Sequence, residues 1–382
     1  VPRACVVDSK QHLQTFLSEA LEELGFIVCR CGSPEGLGEA LGAHCPDIVI
    51  FGLSAGGLEA SRALQVAAAH GFEGKVLLLG PAASPMVAAV RDFGESLGLA
   101  MLPVLKTPFG DRDLRGAVSG LLRTETPPLP PVNAGEALNA GWLELWYQPK
   151  VDSRSLALDG AEALIRMRHP TWGVVPPAYF IPAEGDPNFQ ALSEFVISRA
   201  LHDWHYFVTQ RGRVQIAINL PLSFFKGPGA MQHLCEMLPR HAAFDGLIVE
   251  MNGSEVTENL AFSNELARAL RFHNIGISID DLGEQWPSLI EVDGFPFVEV
   301  KLDQNFVAGC ADDRLRRSAC RQIVDFAQAT GARTVAKGVE NRGDFLVLRE
   351  MGVDLIQGFL FAKPMTAQKF ARFNLNRLET VS

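Results

Sequence analysis

Up to Thr124 the chain alternates between two hydrophobic patterns. Ala4-Cys5-Val6-Val7, Asp47-Ile48-Val49-Ile50-Phe51 and Val76-Leu77-Leu78-Leu79 are short apolar runs. Between them apolar residues recur at helical spacing, as in Leu13, Phe16, Leu17, Leu21 and Leu24. A run of four or five apolar residues is a strand covered on both faces, and helices between such strands give a parallel α/β sheet. A last strand near Ala100 to Leu105 leads into Lys106-Thr107-Pro108-Phe109.

The rhythm breaks at Thr124 to Glu136, where Pro127, Pro128, Pro130 and Pro131 crowd one short stretch. Proline fixes φ and removes donors, so this reads as a stiff linker. The expected division is a domain over 1–122, a linker over 123–135 and a second domain over 136–382. In the second domain there are eight short apolar segments, and all but the first end on a polar residue. They are Trp146 to Pro149, Gly160 to Arg166, Val214 to Asn219, Leu247 to Glu250, Ile277 to Asp281, Val298 to Lys301, Thr334 to Lys337 and Leu355 to Gln357. Helical stretches separate most of them, which is the pattern of a (β/α)8 barrel whose strand ends converge on one mouth. The fold class is α/β throughout.

Composition narrows the function. With 47% hydrophobic and 20% charged residues, and no apolar run long enough to span a bilayer, the chain reads as soluble and globular. The first ten residues form a strand followed by polar residues rather than a signal peptide, so a cytoplasmic location is expected. Seven cysteines without C-x-x-C spacing point to buried free thiols rather than disulfides or a zinc cluster. A net charge of −10 disfavours DNA or RNA as a partner, because phosphate backbones are held by excess lysine and arginine. The histidines lack metal-ligand spacing, and Leu53-Ser54-Ala55-Gly56-Gly57 lacks the Lys-Ser/Thr of a phosphate loop. The five tryptophans read as packing residues, with Trp286 able to border a pocket.

At the barrel mouth the pattern gathers Glu162, Asn219, Glu250, Asp280 and Asp281. Each acid alone reads as a surface residue or helix cap. Together they cannot share a small volume unneutralised, and hard divalent cations resolve the repulsion. The adjacent Asp280 and Asp281 could bridge two ions. Arg166, four residues after Glu162, could pair bidentately with a phosphate.

Over about Glu136 to Phe373 these residues resemble the EAL family of cyclic-di-GMP phosphodiesterases. The matches are Glu162-Ala163-Leu164-Ile165-Arg166, Asn219-Leu220, Glu250, Asp280-Asp281-Leu282-Gly283, Lys301-Leu302-Asp303, Gly338-Val339-Glu340 and Gln357 through Pro364, with Gln148-Pro149, His169-Pro170 and Phe180-Ile181-Pro182. The resemblance implies that Glu162, Asn219, Glu250 and Asp280 hold a first Mg²⁺ or Mn²⁺. It implies that Asp280, Asp281 and a further glutamate hold a second, that Lys301, Glu340 and Gln357 keep catalytic positions, and that Leu164, Arg166 and Gln357 contact the nucleotide. Three departures weaken the match. Lys337 replaces the second-metal glutamate, Gly253 replaces another glutamate with Glu255 out of register, and the Glu284-Gln285-Trp286-Pro287 loop differs. The second metal site is therefore expected to be lost.

Before the linker the layout resembles a flavodoxin-like response-regulator receiver domain. Asp8 and Lys106 match, but Gly52 stands at the phosphoacceptor position and Gly80 at the hydroxyl position. No phosphoacceptor is expected, and Asp8 with Lys106 reads as a leftover ion pair. The whole then reads as a degenerate, non-catalytic EAL protein, a cyclic-di-GMP sensor or protein-interaction module that pairs with a signalling partner and with itself as a homodimer. The alternatives are an active phosphodiesterase producing linear pGpG and a scaffold that no longer binds nucleotide.

Overall fold

The structure is a computed structural model describing residues 2–52, 58–81, 84–107, 109, 111–121, 133–170, 172–182, 185–281 and 295–374. Most of the proline-rich segment, the Leu53 to Gly57 stretch and the loop carrying Glu284 to Pro287 with Trp286 lie outside these residues. The chain divides into two compact units, one of Val1–Asn133 with Asn139–Trp142 and Met167–Phe180, the other of the remainder. No helix among the described residues is long and apolar enough to cross a membrane.

The first unit is a flavodoxin-like, doubly wound α/β sheet. Its strands are β1 (Arg3–Val7), β2 (Ile27–Cys31), β3 (Ile48–Gly52), β4 (Lys75–Pro81), β5 (Ala100–Met101) and β6 (Leu105–Thr107), parallel in the order β2-β1-β3-β4-β5 with β6 also on β4. Strand alternation sorts the apolar runs onto two faces. Cys5, Val7, Val49, Phe51, Val76 and Leu78 pack against Leu37, Leu41, Leu64 and Val90 from helices over 34–44, 58–69 and 85–96. Ala4, Val6, Ile48, Ile50, Leu77 and Leu79 pack against Leu17, Leu21, Leu114 and Val118 from helices over 11–23 and 111–118.

The expected ion pair between Asp8 and Lys106 is not formed. Asp8 Oδ1 accepts the Lys10 N–H at 2.7 Å, Oδ2 is buried without a partner, and Lys106 is exposed. A Cβ on Gly52 would overlap Asp8 Oδ2, so the carboxylate fills the room that a side chain at position 52 would need. The expectation of buried thiols also needs correction, since Cys45 is exposed and Cys29 and Cys235 are half-buried, although all seven are free.

A closed barrel makes up most of the second unit. Its strands are β7 (Leu143–Asp152), β8 (Leu158–His169), β9 (Gly173–Val175), β10 (Gln215–Asn219), β11 (Leu247–Asn252), β12 (Ile275–Asp280), β13 (Glu299–Leu302), β14 (Arg333–Lys337), β15 (Leu355–Gln357) and β16 (Met365–Thr366). The ring runs β7-β15-β14-β13-β12-β11-β10-β8 and closes by pairing β7 with β8, while β9 and β16 extend it at β8 and β7. From β8 to β15 the ring strands are parallel, but β7 is antiparallel to β15. The cause is local. Asp152 Oδ1 accepts the N–H groups of Arg154 and Ser155 at 3.1 and 2.7 Å, making a tight turn that sends β8 back alongside β7.

Candidate functional site: a carboxylate and lysine cluster at the barrel mouth

Barrel strands point alternate residues inward. The same alternation puts Gln148 and Lys150 on one face of β7, Glu162, Leu164 and Arg166 on one face of β8, and Glu299 and Lys301 on one face of β13. Asn219, at the end of β10, is in register with Glu250 on β11, and Lys337, at the end of β14, with Gln357 on β15.

Lys301 is the centre of the cluster and is fully buried. Its Nζ lies 2.9 Å from Glu162 Oε2, 2.5 Å from Glu250 Oε2 and 3.3 Å from Asp280 Oδ2. Asn219 Nδ2 donates to Glu162 Oε1 at 2.9 Å, and Gln357 Nε2 donates to Glu162 Oε2 at 2.7 Å and to Gln148 Oε1 at 3.1 Å. Glu162, Glu250 and Asp280 each bring one oxygen within 4.8 Å of the other two. An all-oxygen carboxylate set of that span fits a hard divalent cation such as Mg²⁺ or Mn²⁺.

The electrostatics are those of buried charges held by partners. Burial alone would raise the Glu162 carboxyl, but the Lys301 ammonium and the Gln357 hydrogen bond hold it well below the carboxylate range. Asp280 behaves alike, with Lys301 and Lys337 outweighing burial. At Glu250 burial and the Glu162 charge prevail over Lys301 and Lys150, and its carboxyl is pushed up to about 7. Lys301 is driven well above the usual lysine range because the three carboxylates outweigh its desolvation.

Lys337 meets the other side of the aspartate pair. Its Nζ lies 2.5 Å from Asp280 Oδ1 and 2.8 Å from Asp281 Oδ1. Asp281 has φ of +50°, a left-handed backbone that turns the chain sharply where β12 ends. Gly253 begins the helix Gly253–Glu258, and Glu255 is used elsewhere, accepting the Leu222 N–H at 2.9 Å. It supplies nothing to the cluster.

Above the charged floor opens a cavity of about 630 Å³. Glu162, Leu164, Arg166, Lys337, Glu340 and Gln357 line it, whereas Asn219, Glu250, Asp280 and Lys301 are not among its lining residues. Arg166 Nη1 donates to the Ile165 carbonyl at 2.8 Å, and its guanidinium stands 6.0 Å from the Trp146 ring centroid. Burial lowers its pKa from the usual arginine value.

Two members of the cluster were missing from the sequence-based set. Lys150 Nζ donates to Glu250 Oε1 at 3.0 Å and to Glu299 Oε1 at 2.6 Å, and all three side chains are buried. The sequence carries only a faint signal, in that Lys150 follows Gln148 and Glu299 precedes Lys301 at the period of a strand.

This α/β barrel with its carboxylate-rich mouth is an EAL domain: the chain belongs to the EAL domain family, which matches residues 133–364. RocR of Pseudomonas aeruginosa, described as a cyclic di-GMP phosphodiesterase, is 28% identical over 341 residues, covering 85% of this chain and 86% of RocR. MucR of the same bacterium, described as a bifunctional diguanylate cyclase/cyclic di-GMP phosphodiesterase, is 30% identical across 61% of this chain. The chain spans only 35% of MucR. A solved MucR phosphodiesterase structure in complex with c-di-GMP matches with a TM-score of 0.58 at 30% identity, covering 62% of this chain and 97% of that one.

Proposed function

We propose that the barrel is a cyclic-di-GMP receptor of incomplete catalytic competence, and that the chain works in the cytoplasm as a signalling protein. The supporting observation is the Lys337 ammonium between Asp280 and Asp281. Fully ionised, Glu162, Glu250, Asp280, Asp281 and Glu299 carry five negative charges, and Lys150, Lys301 and Lys337 carry three positive ones. Arg333, near Glu299, is balanced by Asp159. The excess of two negative charges is cancelled by one divalent cation. A carboxylate at position 337 would make the excess four and call for two.

In this reading Glu162, Asn219, Glu250 and Asp280 hold a single Mg²⁺ or Mn²⁺, which would polarise a phosphate oxygen of the ligand. Leu164, Arg166 and Gln357 face the nucleotide, with the guanidinium directed at phosphate and the amide at the groups around Glu162. Lys301 orients the three carboxylates and holds Glu162 and Asp280 ionised, and Glu340 remains at the rim. Lys337 neutralises the aspartate pair where a second cation would otherwise sit. Residues 1–122 form a receiver-like module that serves docking rather than phosphoryl transfer, joined through 123–135 to the barrel over 136–382.

Calorimetric titration of the full chain with cyclic-di-GMP, in Mg²⁺ and in EDTA, with chromatography of the products, tests this. The expected result is saturable binding in both buffers and no linear dinucleotide. A second reading, an active phosphodiesterase, is favoured by the carboxylate triad and the phosphodiesterase description of RocR. Accumulation of pGpG would establish it, and absence of binding in either buffer would leave the barrel a scaffold.

A further inference from the structure

We propose that Lys150 and Glu299 are positioning residues that hold Glu250 in place as a ligand for the divalent cation. This rests on the reading above that the mouth takes one such ion. The two oxygens of Glu250 are held by different ammonium groups, Oε2 by Lys301 at 2.5 Å and Oε1 by Lys150 at 3.0 Å. Held at both ends, the carboxylate has its plane fixed. Lys150 reaches Glu250 from β7, the antiparallel strand, across the barrel interior from β11.

Lys150 is itself anchored from below. Glu299 Oε1 accepts from Lys150 at 2.6 Å and from Ser278 Oγ at 3.0 Å, and Glu299 Oε2 lies 3.5 Å from Arg333 without a hydrogen bond. Arg333 in turn is held by both oxygens of Asp159 at 3.2 and 3.1 Å and by Gln215 at 2.9 Å. Each of these groups is fixed by the next.

Stability alone does not account for the arrangement. Burying a lysine and two carboxylates costs more in desolvation than their attraction commonly returns, and apolar residues of similar volume often stabilise a core better. Barrel interiors are filled mainly by branched apolar side chains. Neither Lys150 nor Glu299 lines the cavity, and each hydrogen-bonds only to other buried side chains. Lys150 touches Glu250 directly and Glu299 acts on it through Lys150, and groups that orient a metal ligand in this way typically contribute a factor of about 10 to 100 in metal affinity.

The test is Mn²⁺ titration of the full chain, followed by the electron paramagnetic resonance signal of free Mn²⁺. Wild type is compared with Lys150→Met/Glu299→Gln, which removes the pair without leaving a lone buried charge, and with the milder Glu299→Gln. Thermal melting and cyclic-di-GMP affinity in EDTA report whether each variant is folded. The double variant is expected to bind Mn²⁺ about 10 to 100 times more weakly while keeping its nucleotide affinity in EDTA. An unchanged Mn²⁺ affinity in the folded double variant overturns the proposal, whatever happens to its melting temperature. Should the double variant not fold, Glu299→Gln decides, with weaker Mn²⁺ binding supporting the proposal and unchanged binding ending it. Wild-type protein that holds no Mn²⁺ also overturns it, while the nucleotide titration in EDTA tests the receptor reading separately.

Discussion

Lys337 is the residue on which the chemistry turns. Two like charges a few ångströms apart repel by roughly several kcal/mol at realistic protein dielectric, and a divalent cation beside an ammonium doubles that. Lys337→Glu is therefore expected to tighten Mn²⁺ binding measurably by titration, and weak hydrolysis at most should follow, because Gly253 offers no second carboxylate. Wild-type turnover on the order of 1 per second, typical of enzymes, would falsify the single-ion reading. Glu250 sets a pH signature in the metal-free protein. Burial first, and then the Glu162 charge, push its carboxyl up to about 7 in the fold, against 4.5 ordinarily. Between those values the folded state holds a proton that the unfolded chain has released, so stability falls as pH rises through this window. Melting in EDTA from pH 5 to about 8 should show wild type losing stability relative to Glu250→Gln, whose amide does not titrate. Parallel curves would mean that Glu250 stays ionised throughout. The family acids were legible because strand-end carboxylates stand out against apolar runs. Lys150 and Glu299 were not, because a charge inside a strand acquires meaning only when the barrel brings its partner from another strand.

At the scale of elements, the loops after β14 and β15 are joined backbone to backbone. The Val339 N–H donates to the Gln357 carbonyl at 3.2 Å and the Leu360 N–H donates to the Val339 carbonyl at 3.0 Å. A Cβ on Gly358 would overlap the Val339 backbone, so the absence of a side chain there lets Gln357 and the Gly338-Val339-Glu340 loop share one wall of the cavity. Gly358→Ala should cost about 1 to 3 kcal/mol, as overpacking generally does. Chemical unfolding checks this, and an unchanged midpoint would show that the loop yields freely. The apolar runs marked the strands well, since a four-residue run between helices has few other fates. The direction of β7 escaped them. Hydrophobic pattern carries no orientation, and the reversal comes from the Asp152 turn, a hydrogen-bonding detail in a short polar stretch. Likewise Glu255 is close in sequence to the missing glutamate, but helix geometry takes it to the Leu222 N–H.

For the whole molecule, the two rhythms of the apolar pattern, one before the prolines and one after, carried the doubly wound sheet and the barrel. They could not show how Asp8 is used. Receiver-type phosphoryl transfer needs a carboxylate nucleophile at the end of β3, and Gly52 supplies none. A substitution there must first displace the Asp8 carboxylate, which occupies the space into which a Cβ at position 52 would project. Lys106 does not draw that carboxylate away, since the two form no ion pair among the described residues. Asp8 Oδ2 is buried and unpartnered, and an aspartate placed at 52 would set a second carboxylate against it. We expect the full chain, incubated with acetyl phosphate and Mg²⁺, to keep its mass, and Gly52→Asp to remain unlabelled while melting at a lower temperature than wild type. Intact-mass spectrometry with peptide mapping reads both. An aspartyl-phosphate within residues 1–122 of the wild-type chain would show that another carboxylate there is nucleophilic and that the first unit receives a phosphoryl signal after all.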